Sequence, residues 1–344
     1  MSMPRAFGPA LGSAAFRQRP EDFEVEELID FAADGDGPHQ LLRVRKIGAN
    51  TVYVAGLLAR YAGVAERDVG FSGLKDRHAL AIQYFSVPTP AAGIDWSSFV
   101  ADGVQILQAT PHRRKLRRGA HCGNRFSLLL SGIEAPAEAV DQRLQRIALD
   151  GFPNSFGEQR FGRGNRDSAQ MLLRGGGRQL NRNQRSFALS ALRSELFNEI
   201  LGLRVADGSW NRALPGEPLL LDGRGSWFIP EQIDAEIEAR LARGEIHASG
   251  ALVGLPGKQT LGGPVAELEH EVLARYPGIE SVFQRFNLEA DRRALRCLPR
   301  QLRWHWPEPG QLRLDFELVR GSFATSLLQE IFDAEDAAKS RGEG

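Results

Sequence analysis

The chain has few cysteines, few lysines and no long apolar run. Two cysteines, Cys122 and Cys297, cannot build a disulfide framework. One bridge is formally possible, but a reduced, cytoplasmic protein is the better expectation. No stretch approaches the roughly 18 consecutive apolar residues of a membrane span. The segment from Met1 to Pro20 lacks the apolar core of a secretory signal. No membrane partner is therefore expected, and no obligatory protein partner is evident. The chain also has no Cys/His cluster with metal-ligand spacing, so the expectation is no metal and no cofactor.

Net charge is absent too, because 43 Lys and Arg balance 43 Asp and Glu. Taken alone, that balance argues against a polyanion partner. The makeup of the basic set is less neutral: 38 of the 43 are Arg and only five are Lys. Arginine carries a planar, forked donor that suits phosphate and stacks on bases. Genomic codon bias would leave the same excess.

What remains is an ordinary soluble composition, 42% hydrophobic and 25% charged. A length of 344 residues has room for one large domain or two ordinary ones. Residues 41–45 read as a strand. Asn50 then sits where a helix N-cap belongs, with Val54, Leu57, Leu58 and Tyr61 at helical spacing and Gly63 as the stop. Residues 69–72 and 81–87 read as strands flanking a polar loop, 73–78, and residues 104–109 as another strand. Phe126, Leu128 and Leu130 alternate with Ser127, Leu129 and Ser131, a strand with at least one buried face. Pro136 opens an amphipathic helix carrying Val140, Leu144 and Ile147.

From about Gly151, glycine and arginine become dense through Gly177. A long helix follows with Phe187, Leu192, Leu196, Phe197 and Ile200 along it. Short strand signals surround Gly223, and helical patterns cover 231–243 and 265–276. Strand character returns at 301–306 and at 311–319, where Leu312, Leu314, Phe316 and Leu318 alternate, before a last helix with Ala324, Leu327, Leu328 and Ile331. Strands interleaved with helices in this way indicate a mixed sheet of α+β or α/β type.

The most informative segment is Gly73-Leu74-Lys75-Asp76-Arg77-His78-Ala79. It sets an acid between two bases, beside a histidine, in a loop joining two apolar strands. Neighbouring cations favour the ionised form of such a carboxylate, which could then serve as nucleophile or base. A polar turn with a local salt bridge would carry the same residues.

This loop, extended back to Phe71 and Ser72, closely resembles the catalytic-loop motif of the TruD family of tRNA pseudouridine synthases. Other blocks resemble the family in the same order. Arg17-Gln18-Arg19-Pro20-Glu21-Asp22-Phe23-Glu24-Val25-Glu26 is similar to its N-terminal motif. Gly123-Asn124-Arg125-Phe126 is similar to its second active-site motif, and Gly321-Ser322-Phe323-Ala324-Thr325 to its C-terminal motif. Two further blocks, from Pro153 to Gly162 and from Asn183 to Phe187, also resemble the family. The resemblance runs from about Phe16 to Phe332.

It implies an α+β fold, with a pseudouridine-synthase mixed-sheet catalytic domain and an inserted α/β TruD-specific domain. The expected division is 1–150 plus 298–344 for the catalytic domain and 151–297 for the insertion. It implies isomerisation of uridine to pseudouridine in tRNA, by analogy at uridine 13 in the D-arm region, with Asp76 as the essential aspartate. Phe126 matches the aromatic residue that lies against the target base, and an extruded base needs such a surface. Asn124 matches a position that orients the aspartate loop, where Lys75 also stands among the substrate-binding candidates. Arg17 departs from the family, which commonly has Lys there. Arg and Lys are not interchangeable at a tight site. Glu21 follows in the same motif as a partner for Arg17.

Two arginine-rich runs are candidates for RNA contact. Between Pro111 and Arg125 stand Arg113, Arg114, Lys115, Arg117, Arg118 and Arg125, with no acid. The run from Gln159 to Arg185 includes Arg160 and Arg163 and has one acid, Asp167. Contacts of this kind to phosphate dominate affinity and weaken with salt. The competing reading is a non-catalytic RNA-binding or RNA-folding factor on the same scaffold. A glycosidase-like hydrolase would need two cooperating carboxylates, and only Asp76 is convincing.

Overall fold

The structure is a computed structural model describing residues 3–91, 93–157, 160–255, 257 and 261–341. The side chains at 162, 163, 340 and 341 lie outside that description. The chain begins with strands β1 (Ser13–Phe16), β2 (Phe23–Leu28) and β3 (His39–Lys46), then helix α1 (Thr51–Ala62). Strands β4 (Gly70–Phe71), β5 (Leu80–Pro88), β6 (Val104–His112) and β7 (Gly123–Ser131) follow. The middle of the chain forms α2 (Ala137–Asp150), β8 (Phe152–Pro153), α3 (Gly162–Leu173), α4 (Arg182–Ala206), β9 (Leu219–Leu221) and β10 (Trp227–Phe228). It continues with α5 (Ala235–Ala242), β11 (Ile246–Leu252), α6 (Gly263–Ala274), α7 (Ile279–Phe286), β12 (Asp291–Ala294) and β13 (Arg296–Cys297). The last elements are β14 (Arg300–His305), β15 (Leu312–Val319), α8 (Ala324–Gln329), β16 (Asp333–Asp336) and α9 (Ala337–Arg341).

The chain divides into two compact units. The sheet unit takes Leu11–Ala139, Pro299–Gly321 and the described residues from Phe332 onward. The middle unit takes Val140–Leu298, Ser322–Ile331 and the described residues up to Ala10.

The sheet unit holds one mixed sheet, in the order β14-β15-β7-β2-β5-β3-β6, with β1 joined to β7 and β16, and β4 to β5. The pairs β2–β5 and β1–β16 are parallel and the others antiparallel. The two-residue period of a strand sorts side chains strictly between faces. Phe23, Val25 and Glu27 of β2 therefore share a face with Leu128, Phe126 and Asn124, their partners on β7. Leu42, Val44 and Lys46 of β3 share the same face with Phe85, Gln83 and Ala81 of β5. Helix α1 packs Val54, Ala55, Leu58 and Ala59 into a core with Leu42, Val44, Phe85 and Val87. Burying each Leu, Val or Phe of this core is worth about 1.5–3 kcal/mol. The ends of α1 follow the sequence signals: Asn50 accepts from the Tyr53 amide at 2.8 Å, and Gly63 closes the helix at φ +67°. The opposite face carries an ionic lattice in which Arg43 pairs with Glu26 (2.5 Å) and Arg125 with Glu317 (2.8 Å).

In the middle unit, α3, α4, α6 and α7 pack around Leu172, Leu192, Leu196, Ile200, Val272 and Phe283. A four-stranded sheet, β10-β9-β11-β12, lies in the same unit. Asn181 and Gln184 form a reciprocal capping box that starts α4. Phe187, at the start of that helix, is 57% exposed instead of joining its apolar face. Two separated sequence blocks meet in this unit. Phe156 lies 5.9 Å from Phe323, and the Ser155 hydroxyl donates to Ser326 Oγ at 3.1 Å. The buried guanidinium of Arg293 sits 4.1 Å over Phe156 and donates to Asn154 Oδ1 at 2.7 Å. No helix among the described residues is long and apolar enough to cross a membrane.

Candidate active site

The loop between β4 and β5 sits above the polar end of the shared sheet face. Gly73 opens it at a close approach, since a β-carbon there would stand 3.2 Å from Glu27 Oε1 and 3.5 Å from Lys75 Nζ. The Lys75 amide donates to Thr51 Oγ1 (2.8 Å), and that hydroxyl donates to Gln83 Oε1 (2.9 Å). Lys75 Nζ then turns inward. It donates to Asn124 Oδ1 at 2.7 Å and pairs with Glu27 Oε1 at 3.1 Å. Glu27 Oε2 accepts from the Tyr84 amide at 3.0 Å. Burial pulls the Lys75 ammonium below its ordinary pKa, and Glu27 opposes that fall.

Asp76 comes next and is held from several directions. Its Oδ1 accepts from the His78 amide at 3.0 Å. Its Oδ2 accepts from Arg17 Nη1 at 3.1 Å, and the same Nη1 donates to Asp336 Oδ2 at 3.0 Å. Burial raises the Asp76 pKa. The His78 amide and the positive charges of Arg17, His78 and Lys46 outweigh it, so the carboxyl lies below the ordinary aspartate range. Arg17 adopts φ +60°, a conformation that costs a non-glycine residue about 1–3 kcal/mol. Its guanidinium lies 4.1 Å over the Phe23 ring.

Beneath the loop, Lys46 is fully buried. Its Nζ donates to the carbonyl oxygens of Ala49 (2.7 Å), Asp76 (2.9 Å) and Lys75 (3.4 Å). Burial lowers its pKa to about 8, against the upward pull of Asp76. The loop is thus fixed through its backbone, and the Asp76 side chain is left to face outward. That side chain is 31% exposed, whereas those of Arg17, Lys75, Asp336 and Glu27 are all below 10%. One ionised, accessible carboxylate therefore stands on a buried platform of paired charges.

The sequence candidates fall into three groups. Arg17, Lys75, Asp76 and Asn124 meet in this cluster. Phe126 lies on the same sheet face, stacked on Phe316 (5.3 Å between centroids) and edge-on to Phe23 (6.1 Å). Glu21 stands exposed on the short turn Pro20–Asp22.

The run from Arg113 to Arg118 is stitched beside the loop entrance. The Leu116 amide donates to Ser86 Oγ and the Gly119 amide to the Ser72 carbonyl, both at 2.8 Å. Arg113 is taken up by a fork to Asp36 (2.9 and 3.0 Å), and Lys115 Nζ by the Arg67 carbonyl (2.5 Å). Arg118 lies 3.9 Å over the Phe71 ring, and Arg114 and Arg117 are exposed. Arg160 belongs to the middle unit, where it donates to Ser190 and Ser194. The side chain of Arg163 lies outside the described residues.

Sequence reading missed Lys46, Glu27 and Asp336. A signal existed for the first two. Leu42-x-Val44-x-Lys46 and Phe23-x-Val25-x-Glu27 each place a charge in the apolar register of a strand, and Lys46 is one of only five lysines. Among the described residues, no group of three or more His, Cys, Asp or Glu is placed to hold a metal ion.

A family model described as tRNA pseudouridine synthase D (TruD) matches residues 12–176 and 169–331. A tRNA pseudouridine synthase D from Xanthomonas axonopodis pv. citri is 44% identical, over 98% of this chain and 96% of its own length. Another from Methylococcus capsulatus is 40% identical, over 96% and 94%. The fold matches the crystal structure of a putative tRNA pseudouridine synthase D from Methanosarcina mazei. That match has a TM-score of 0.72 at 19% identity, over 96% of this chain and 95% of that one. Matched along nearly its whole length, the chain belongs to the tRNA pseudouridine synthase D (TruD) family.

Proposed function

We propose that the protein isomerises uridine to pseudouridine in tRNA, at uridine 13 of the D-arm, with Asp76 as the reacting group and without a cofactor. The observation that carries this reading is the part-exposed, ionised Asp76 carboxylate on its buried platform. The reaction breaks the bond from uracil N1 to the ribose, turns the base, joins C5 to the same sugar carbon and releases the C5 proton. An ionised Asp76 can begin it by attacking the sugar or the base, or by removing a sugar proton.

Arg17 keeps Asp76 ionised and aimed. Lys75 and Asn124 brace the loop from the β7 side. Phe126 offers the base an apolar surface once it leaves the stack. Arg114, Arg117 and Arg118 meet phosphate beside the loop, and Arg160 and Arg163 extend the RNA contact on the middle unit. We assign the catalytic role to the sheet unit and the role of the inserted domain to the middle unit.

The experiment is incubation of wild-type protein with unmodified tRNA, followed by mapping of pseudouridine at each uridine. Conversion at one D-arm uridine is expected. Asp76→Asn should lower product formation by at least about a thousandfold while tRNA affinity stays within about threefold. Unaltered uridines with wild-type protein would leave the RNA-binding-factor reading in its place.

A further inference from the structure

On the middle unit, a pocket of about 290 Å³ opens along α4. Ser186, Ser190 and Ser194 line it at four-residue spacing, so they share one helix face. Arg160 and Arg193 supply its charge, and Leu189, Leu252 and Leu288 an apolar wall. Its size lies just below the range of ligand pockets, about 300–1,000 Å³, so it has room for no more than a single unstacked nucleotide.

The two arginines set this pocket apart. Arg160 is exposed and Arg193 half-buried, and a partly desolvated guanidinium usually has a carboxylate partner. Among the described residues neither Arg160 nor Arg193 has a carboxylate within ion-pair distance; burial lowers the pKa of both, and the charge of Asp291 opposes that fall at Arg193. Arg160 spends its Nε and Nη2 on the hydroxyls of Ser194 and Ser190. Arg193 Nη2 donates to the carbonyls of Leu252 (2.9 Å) and Glu289 (3.1 Å), and its Nε is buried with no hydrogen-bond partner. Ser190 Oγ accepts from Arg160, so its own hydrogen is left for an anion.

We propose that this pocket is a second nucleotide site on the RNA-binding surface. It takes one unstacked nucleotide of the tRNA, with the phosphate toward Arg160 and Ser190 and the base against the leucine wall. The proposal rests on the reading of the chain as a tRNA-modifying enzyme.

The test fills the pocket without removing charge. Full-length Ser190→Phe and Ser186→Trp are compared with the parent protein, all carrying Asp76→Asn so that binding is read without turnover. Each filled variant is expected to bind unmodified tRNA about tenfold more weakly. One tRNA nucleotide outside the modified stem should be shielded from 2′-hydroxyl acylation by the parent and reactive with the filled variants. Arg160→Gln should lower the slope of log affinity against log salt by about one. If Ser190→Phe melts early, Ser186→Trp carries the test, because its residue is exposed. Parental affinity and an unchanged acylation pattern with the filled pocket would overturn the proposal. Failure of the underlying reading appears separately, as wild-type protein that leaves every uridine unmodified.

Discussion

Arg17 and Arg160 are the same residue type in opposite electrostatic settings. Arg17 lies within 3.1 Å of two carboxylates, and around it Lys75 is matched by Glu27. That part of the sheet unit is close to neutral inside, and its charge is spent on holding one aspartate ionised. Arg160 touches serine hydroxyls and has no carboxylate beside it among the described residues. Its charge is available to a ligand. The balance of 43 basic and 43 acidic residues conceals this division completely. Internal pairing, and not arginine count, separates an arginine that tunes chemistry from one that grips a polyanion.

Substitutions at three places sharpen the contrast. The largest effect is expected at Arg17. Arg17→Gln should lower single-turnover pseudouridine formation about a hundredfold at saturating tRNA, because Asp76 loses both its charge partner and its aim. Arg17→Lys should recover part of that loss, since it keeps the charge beside Asp76 without the planar guanidinium. If Arg17→Gln altered only affinity, the two arginines would belong to one class.

Lys46 gives the next effect, read as stability against pH. Its folded pKa is about 8 against an ordinary value of 10.5. Between those values the unfolded chain holds the proton and the folded chain does not, so stability rises with pH across that window. Relative to Lys46→Met, wild-type protein should gain up to about 3 kcal/mol between pH 8 and 10.5 in denaturant titrations. A flat difference would mean that the buried ammonium is not desolvated.

The smallest effect lies in the 113–118 run. Arg114→Glu with Arg118→Glu should weaken tRNA binding about tenfold at low salt without lowering the melting temperature. Arg113→Ser should cost less than about threefold, because Asp36 already occupies that guanidinium. Equal losses at 113 and 118 would show that pairing does not decide which arginines meet RNA.

Local signals made much of the sheet unit legible in advance. The Asn50 cap, the Gly63 stop and the alternation from Phe126 to Leu130 each map onto an observed end or face. Helix α3 escaped notice because Gly162 and Gly164 dilute its pattern among arginines, and its apolar contacts, Ala169 and Leu172, come only in the second half. Strand β11 and helix α7 were missed as well. Strand β11 is buried along most of its length and so lacks alternation, and α7 is only eight residues long. At the site, Asp76 and its neighbours could be read from one loop. Asp336 could not, because it reaches Arg17 across 319 positions of sequence through the parallel pairing of β1 with β16. The Gly321–Thr325 block is similar to a family motif, yet the visible contacts of Phe323 are with Phe156 inside the middle unit.

The middle unit draws on three separate stretches of chain, and its last piece, Ser322–Ile331, lies near the end of the sequence. There Glu330 Oε2 accepts from the Ala6 amide at 2.8 Å, so two stretches 324 positions apart in sequence close on each other. During translation neither unit can be completed until residues 322–336 have left the ribosome, because the sheet unit also waits for β16. A stop codon between Ser322 and Asp333 should therefore be as damaging as one at mid-chain. A fragment cut at 151 and 297 would lack the pieces that finish its own core.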